Sequence, residues 1–248
     1  GAAIPASVLE ADVLPARLGN YRPADLDALC TSGEVVWVGA GAIGSNDGRV
    51  RLAFRDQATL LLTGRNTDPP DGPLHQALLG HLDQRGASFW ADLVAAAHRA
   101  GLPADDASVL TALWDLVWAG LVTNDSLAPV RAMVGRSATK GRDNRVGTRS
   151  RPRVGRLTRS GPPAAAGRWS LVAPLLAPAP NPTELLTARA VQLLERYGVL
   201  TRESALGEGA DGGFAGVYPV LKLLEERGQV RRGYFVEGLG AAQFALPG

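Results

Sequence analysis

Near its end the chain switches hydrophobic period once. Val217, Val220, Leu221 and Leu224 recur at i, i+3, i+4 and i+7, the spacing of one buried helical face, with Pro219 expected in the helix's first turn. Gly228 stops that helix. Gln229 to Glu237 and Ala241 to Leu246 are rich in Val, Phe and Tyr, and Gly238-Leu239-Gly240 between them reads as a hairpin turn. Helix, stop and hairpin form the second half of a winged helix, a helix-turn-helix with a β-ribbon wing.

The same device occurs twice upstream. Ala6 to Leu14 and Ala24 to Cys30 predict two short helices around a turn punctuated by Pro15, Gly19 and Pro23, followed by a strand over Gly33 to Val38. Arg49 to Arg55 alternates basic and apolar residues at period two, a half-exposed strand showing three arginines on one face. This is a winged helix without its first helix, so the chain is expected to be a piece of something longer. After the linker-like Asp68-Pro69-Pro70-Asp71-Gly72-Pro73, helices are predicted over Leu74 to Gln84, Phe89 to Ala100 (N-capped by Ser88) and Asp105 to Ala119, with a strand from Gly120 to Asn124. Gly33-Glu34-Val35, Gly120-Leu121-Val122 and Gly228-Gln229-Val230 are thus three copies of one helix-to-strand junction. The expected fold class is α+β: tandem winged-helix modules at 1–66, 67–130 and 169–248, joined by a long basic linker at 131–168.

Charge gives that linker its interest. The 248 residues carry a net charge of only +2, yet Arg131 to Arg168 holds eleven basic residues against Asp143 alone. Gly, Ser, Thr, Pro and Arg dominate there, and such a stretch buries too little apolar surface to offset its ordering entropy. It is expected to be mobile, either as a solvated linker or as an arm that tracks phosphates without reading bases. Order resumes with a strand over Gly167 to Val172, a rigid Pro174 to Pro182 spacer, and Thr183 as N-cap of a helix over Leu185 to Tyr197. With 46% hydrophobic residues the chain has enough apolar surface for one large core or several small ones. No apolar run reaches the ~18 to 20 residues that span a bilayer, and the N-terminus shows no signal-peptide pattern, so no membrane partner and a cytoplasmic location are expected. The lone Cys30, in an apolar helix, reads as a core residue.

Several chemistries are weighed and set aside. Gly39-Ala40-Gly41-Ala42-Ile43-Gly44 matches the dinucleotide-binding pattern after a strand, but Ser45-Asn46-Asp47-Gly48 follows as a turn where a helix N-terminus is needed to hold pyrophosphate. His75, His81 and His98 lack metal-ligand spacing. Trp90, Trp114 and Trp118 read as core or module-to-module packing, with base stacking the lesser alternative. The third helix of the middle module offers Asp105, Asp106 and Asp115 and no base, which phosphates repel. Lys140 and Lys222, the only lysines, stand in no P-loop, and there is no nucleophile elbow or Cys-His pairing, so no catalytic residue and no cofactor or metal site is assigned to this chain.

Several strings together carry a family resemblance: Ser7-Val8-Leu9-Glu10 with Asp12 to Arg17, Gly33 to Gly41, Gly167 to Leu171, and most specifically Arg231-Arg232-Gly233-Tyr234-Phe235-Val236-Glu237-Gly238-Leu239-Gly240 with Ala242-Gln243-Phe244. Over nearly its whole length the chain resembles the region beyond the motor core, the C-terminal extension of tandem winged helices, in the large helicase-related (Lhr) family of bacterial superfamily 2 DNA helicases. Its arginine-rich, lysine-poor usage suits a GC-rich actinobacterial version. The resemblance implies a non-catalytic nucleic-acid-binding and scaffold fragment of an ATP-dependent 3′–5′ DNA helicase acting in DNA repair, with ATP and Mg belonging to the parent motor only. Expected partners are DNA, mostly through phosphates, neighbouring modules of the parent helicase, and, as a secondary expectation, a second copy of the chain. The candidate DNA-binding residues are Arg231 and Arg232 at the start of the last wing, Tyr218 and Lys222 four apart on the preceding helix, and Arg142, Arg145, Arg149, Arg151, Arg153 and Arg156 in the basic stretch. Glu225 and Glu226 on the same helix temper its pull on phosphates. Two alternatives stay open: part of a winged-helix DNA glycosylase-like module, in which a carboxylate and glutamines act on a flipped base, and a winged-helix transcription regulator.

Overall fold

The structure is a computed structural model that describes residues 1–62, 69–102, 105–139 (backbone only for 136–139), 161–208, 212–239 and 242–247. The chain divides into two compact units, Gly1–Asp56 with Arg65–Leu175, and Gln57–Gly64 with Leu176–Gly248. Each has its own apolar core.

The smaller unit shows the winged helix in its simplest form. Helix α9 (Pro182–Tyr197), strand β6 (Val199–Leu200), α10 (Arg202–Gly207), α11 (Gly213–Glu226), β7 (Arg231–Gly233) and β8 (Gln243–Ala245) follow in order, with antiparallel strands arranged β6-β8-β7. Val217, Val220, Leu221 and Leu224 face a core shared with Leu193, Leu194, Leu200 and Phe244. A short helix, α4 (Ala58–Leu61), packs on α9 from earlier in the chain. Two local expectations change here. Asn181, not Thr183, caps α9, its side chain accepting from the Thr183 N–H at 2.9 Å, because Pro182 fills the first helical position and has no N–H to satisfy. Pro219 lies in the interior of α11, which begins at Gly213; it and Ala215, whose carbonyl loses its usual donor, are both exposed residues.

The larger unit contains the same plan twice. In its first half, β1 (Ile4–Pro5) precedes helical residues 6–17, made of α1 (Ala6–Val8), a π-helical turn Leu9–Val13 and α2 (Leu14–Arg17). Then come α3 (Pro23–Ser32), β2 (Val35–Ile43) and β3 (Asp47–Phe54), and the sheet order β1-β3-β2 is that of the smaller unit. In its second half, α5 (Pro73–Arg85), α6 (Trp90–Arg99) and α7 (Asp106–Trp118) precede β4 (Val122–Asn124), which pairs antiparallel with β5 (Trp169–Leu171). Ser88 bridges Trp169 on the far edge, so it serves as the short first strand; the α6 N-terminus starts from Phe89 instead, whose N–H donates to Asp92 at 3.2 Å. All three third helices end in a glycine of positive φ, Gly33 (80°), Gly120 (72°) and Gly228 (70°), the left-handed conformation that closes a helix without a Cβ penalty.

The basic stretch is therefore not a connection between the middle and last modules. Trp169–Leu171, expected to open the last module, completes the sheet of the middle one, and the chain from Asp125 to Arg168 is an insertion at the wing of that module. Its described ends are ordered. Helix α8 (Ala128–Thr139) packs on α1, burying Val130 and Met133. Arg131 donates to Glu10 Oε2 at 2.7 Å and reaches Asp27 Oδ1 at 2.6 Å, and Asp27 also accepts the Leu127 N–H at 2.9 Å. Through these contacts α8 touches the second-helix and third-helix elements of the first module, as α9 does in the smaller unit, and so takes the place that α9 has there. At the other end the Trp114 and Trp169 indoles donate to the carbonyls of Ala164 and Ala165, both at 3.0 Å, and both alanines are buried.

Candidate nucleic-acid interface

Which winged helix keeps a face for a ligand follows from what covers each third helix. Helix α7 is buried along Val109, Leu110, Ala112, Leu113, Trp114, Leu116, Val117 and Trp118, and its exposed side, with Asp106, Ser108, Thr111 and Asp115, carries no base. The β2–β3 hairpin of the first module closes over it. A Cβ on Gly39 would stand 1.9 Å from the Val117 carbonyl oxygen, and one on Gly48 would enter the Trp118 ring. Gly39 to Gly44, the stretch that mimics a dinucleotide site, thus lies in and just beyond a bulged strand against a helix, with a turn after it. The tryptophans are packing residues: Trp114 sits 5.0 Å from Trp118 and 5.8 Å, edge-on, from Trp169. Helix α3 carries Asp25 and Asp27 and no base. Cys30 lies in its buried face, where burial pushes the thiol pKa up to about 12, far from a reactive thiolate.

Helix α11 differs. Lys222 is exposed, and Arg231 and Arg232 stand exposed on β7, the strand that follows the helix. Glu225 draws Arg232 to 3.3 Å, whereas Arg231 and Lys222 form no ion pair among the described residues. Tyr218 is placed otherwise than expected. It is half-buried, edge-on to Phe244 at 5.9 Å and 5.8 Å from Phe214, so it belongs to the core rim rather than to an open face shared with Lys222. Four residues turn a helix by about 400°, and the 40° remainder here separates a ring that gains by burial from an ammonium that does not. One edge of Tyr218 still lines an open cleft of about 570 Å³ with Arg202, Leu206 and Phe214.

Arg142, Arg145, Arg149, Arg151, Arg153 and Arg156 lie outside the described residues. The basic side chains at the ends of that stretch that are described, Arg131 and Arg168, are both in ion pairs, Arg168 with Asp125 at 2.9 Å. Among the described residues no group of His, Cys, Asp or Glu is arranged to hold a metal ion, and no helix is long and apolar enough to cross a membrane.

Beyond Arg231 and Arg232, the tip of the wing carries residues that were not among the candidates. Tyr234, Phe235 and Val236, expected as strand residues, lie past the end of β7 in the wing loop with their side chains exposed. Gln243, buried in β8 opposite Gly233, holds that loop: its Oε1 accepts the N–H of Phe235 and of Val236, both at 2.7 Å, and its Nε2 donates to the carbonyls of Val236 and Leu239 at 3.0 and 3.1 Å. A polar residue inside an otherwise apolar strand was the available signal, since a buried amide needs partners and a wing loop supplies them.

Comparison with known proteins bears on the same elements. Residues 1–55 and 179–248 match, respectively, the third and fourth winged-helix domains described for the large helicase-related protein. A Mycolicibacterium smegmatis protein named "Lhr helicase/ probable uracil glycosylase" is 41% identical over 255 residues, and an Escherichia coli "Lhr helicase/uracil glycosylase" is 36% identical over 260. Each alignment covers 99% of this chain and 16% of the relative, so the chain spans about a sixth of the length of the curated relatives it matches.

Proposed function

This chain belongs to the large helicase-related family, and we propose that it is a non-catalytic, nucleic-acid-binding and scaffolding part of an ATP-dependent 3′–5′ DNA helicase acting in DNA repair. The observation that carries the reading is the unequal state of the third helices: α7 is mostly buried and exposes acids but no base, α3 is acidic, and α11 keeps Lys222 exposed while Arg231 and Arg232 are exposed on the strand that follows it. In this reading α11 approaches the duplex and the wing meets the backbone, so binding rests on phosphates and carries little sequence preference. Arg142 to Arg156 add a non-specific term, because each cation that neutralises a phosphate releases a counterion. Burial of α7 and the core shared by the first two modules support a scaffolding role for the larger unit. ATP and Mg belong to the motor of the parent protein, and DNA and the neighbouring modules of that parent are the partners.

Replacing Arg142, Arg145, Arg149, Arg151, Arg153 and Arg156 together by Gln, and measuring affinity for labelled DNA at several salt concentrations, tests the reading. A weaker, less salt-dependent complex is expected; unchanged binding would remove the basic stretch from the interface. The relatives' names add uracil glycosylase to helicase, which favours one second reading, that this region contributes to base excision. Release of uracil from labelled DNA by this chain alone would establish it, and intact DNA would leave any such activity to other parts of the parent.

A further inference from the structure

The wing tip presents more than charge. Tyr234 is 86% exposed, and Phe235 and Val236 next to it are exposed as well, which places three apolar side chains in water on one short loop. A slack loop would fold such side chains back onto the protein. This one is not slack. The Gln243 amide, 1% exposed, spends both of its N–H groups and both lone pairs of its oxygen on the loop backbone between Phe235 and Leu239. Gly233, at the base, leaves room for the Phe235 ring, which a Cβ there would meet at 3.0 Å, so Phe235 leans back on the strand while Tyr234 projects. Gly238, at φ 80°, turns the loop for its return.

We propose that the Tyr234 ring is a stacking platform for an unpaired base, and that Phe235 and Val236 flank it against the same strand. The proposal rests on the DNA-binding reading above and names its substrate class: single-stranded nucleic acid, or the single-stranded side of a junction. Arg231 and Arg232 precede Tyr234 with only Gly233 between, so a phosphate backbone held by Arg231 lies within short reach of the ring. An exposed aromatic ring beside cations suits nucleic acid because every base has a stacking face, and the resulting contact is tolerant of sequence. The Gln243 bonds hold the backbone just after Tyr234 in place before the strand arrives, which lowers the entropy cost of presenting the ring. A stacked ring carries no charge, so it separates cleanly from the phosphate term.

The test uses the full chain, Tyr234→Ala, Tyr234→Trp and Arg231→Ala/Arg232→Ala, with an unstructured single-stranded oligonucleotide carrying 2-aminopurine and a blunt duplex of matched length. Tyr234 is exposed, so its replacement leaves folding intact. Wild type should change the 2-aminopurine emission on binding. Tyr234→Ala should lose that change and bind the single strand on the order of tenfold more weakly, with duplex affinity and salt slope unaltered, and Tyr234→Trp should restore both. Equal binding of both DNAs by wild type and Tyr234→Ala, while the double arginine variant weakens both, would overturn stacking and leave the phosphate reading standing. Loss of neither in any variant would overturn both. A change in sedimentation of Tyr234→Ala with no change in DNA binding would also overturn stacking, since a second copy of the chain would then cover the wing.

Discussion

Helices α7 and α11 hold the same place in the same plan, and they have opposite fates. Both follow a second helix, both end at a glycine of positive φ, and both feed a strand that pairs antiparallel with a later one. Yet α7 is covered on one side by its own module and on the other by the β2–β3 hairpin, close enough that Gly39 meets the Val117 carbonyl, whereas α11 buries one stripe and leaves Lys222 in water. The difference lies in side-chain distribution. A wide apolar face on α7, running from Val109 to Trp118 and including Trp114, supplies surface for two neighbours and leaves Ser108, Thr111 and Asp115 in water; Val217, Val220, Leu221 and Leu224 supply it for one. A winged helix therefore serves as a scaffold when its third helix has apolar surface for two neighbours and no base in water, and remains a candidate reader when its exposed flank carries a base.

The largest effect that would break this contrast is in α7. Leu113 is fully buried, so Leu113→Ala should destabilise the larger unit by about 2–5 kcal/mol in denaturant melts, while Lys222→Ala on α11 should cost the smaller unit under about 0.5 kcal/mol. Comparable costs would mean that the two helices are buried alike. Next comes the latch of α8. Arg131→Ala strands Glu10 and Asp27 in a half-buried site, and a loss of about 1–3 kcal/mol is expected in the larger unit, with α8 exchanging its amide hydrogens faster. No change in exchange would show that α8 is held by its apolar face alone. The paired substitution Arg231→Ala/Arg232→Ala should weaken DNA binding by about 1 kcal/mol or more for all sequences alike and leave melting of the larger unit unmoved.

The smallest expected effect is a pH dependence confined to the larger unit. Burial, and then the Arg99 guanidinium 3.4 Å from its Nδ1, hold the His81 pKa below the usual 6.5. As pH falls through 6.5 the unfolded chain takes up a proton that the folded unit resists, so stability present above 6.5 is lost progressively below it. His81→Gln should flatten that decline in melts run from neutral to mildly acid pH, and an unchanged decline would assign it to other groups.

The three glycine stops and the stripe of α11 were legible because each is a local rule: φ for glycine, period for an amphipathic helix. The GxGxxG mimic was readable for the same reason, since the residues after it make a turn. Non-local pairing was not legible. Nothing near Trp169 tells which strand it joins, so it read as the start of the last module when its partner is Asn124, across an insertion. Ala164 and Ala165 gave no hydrophobic period, yet they are buried because small side chains let their carbonyls reach two indoles. Gln243 was visible only as a family string, and its four bonds to the loop are a tertiary fact.

Because α7 exposes no base and α11 exposes Lys222, the most direct measurement is the salt dependence of DNA binding by the whole chain, wild type against Arg231→Ala/Arg232→Ala. The slope of log affinity on log salt should flatten by about 1 to 2, as one or two phosphate contacts are removed. An unchanged slope and affinity would contradict the account, because the open helix and its wing would then take no part in holding DNA.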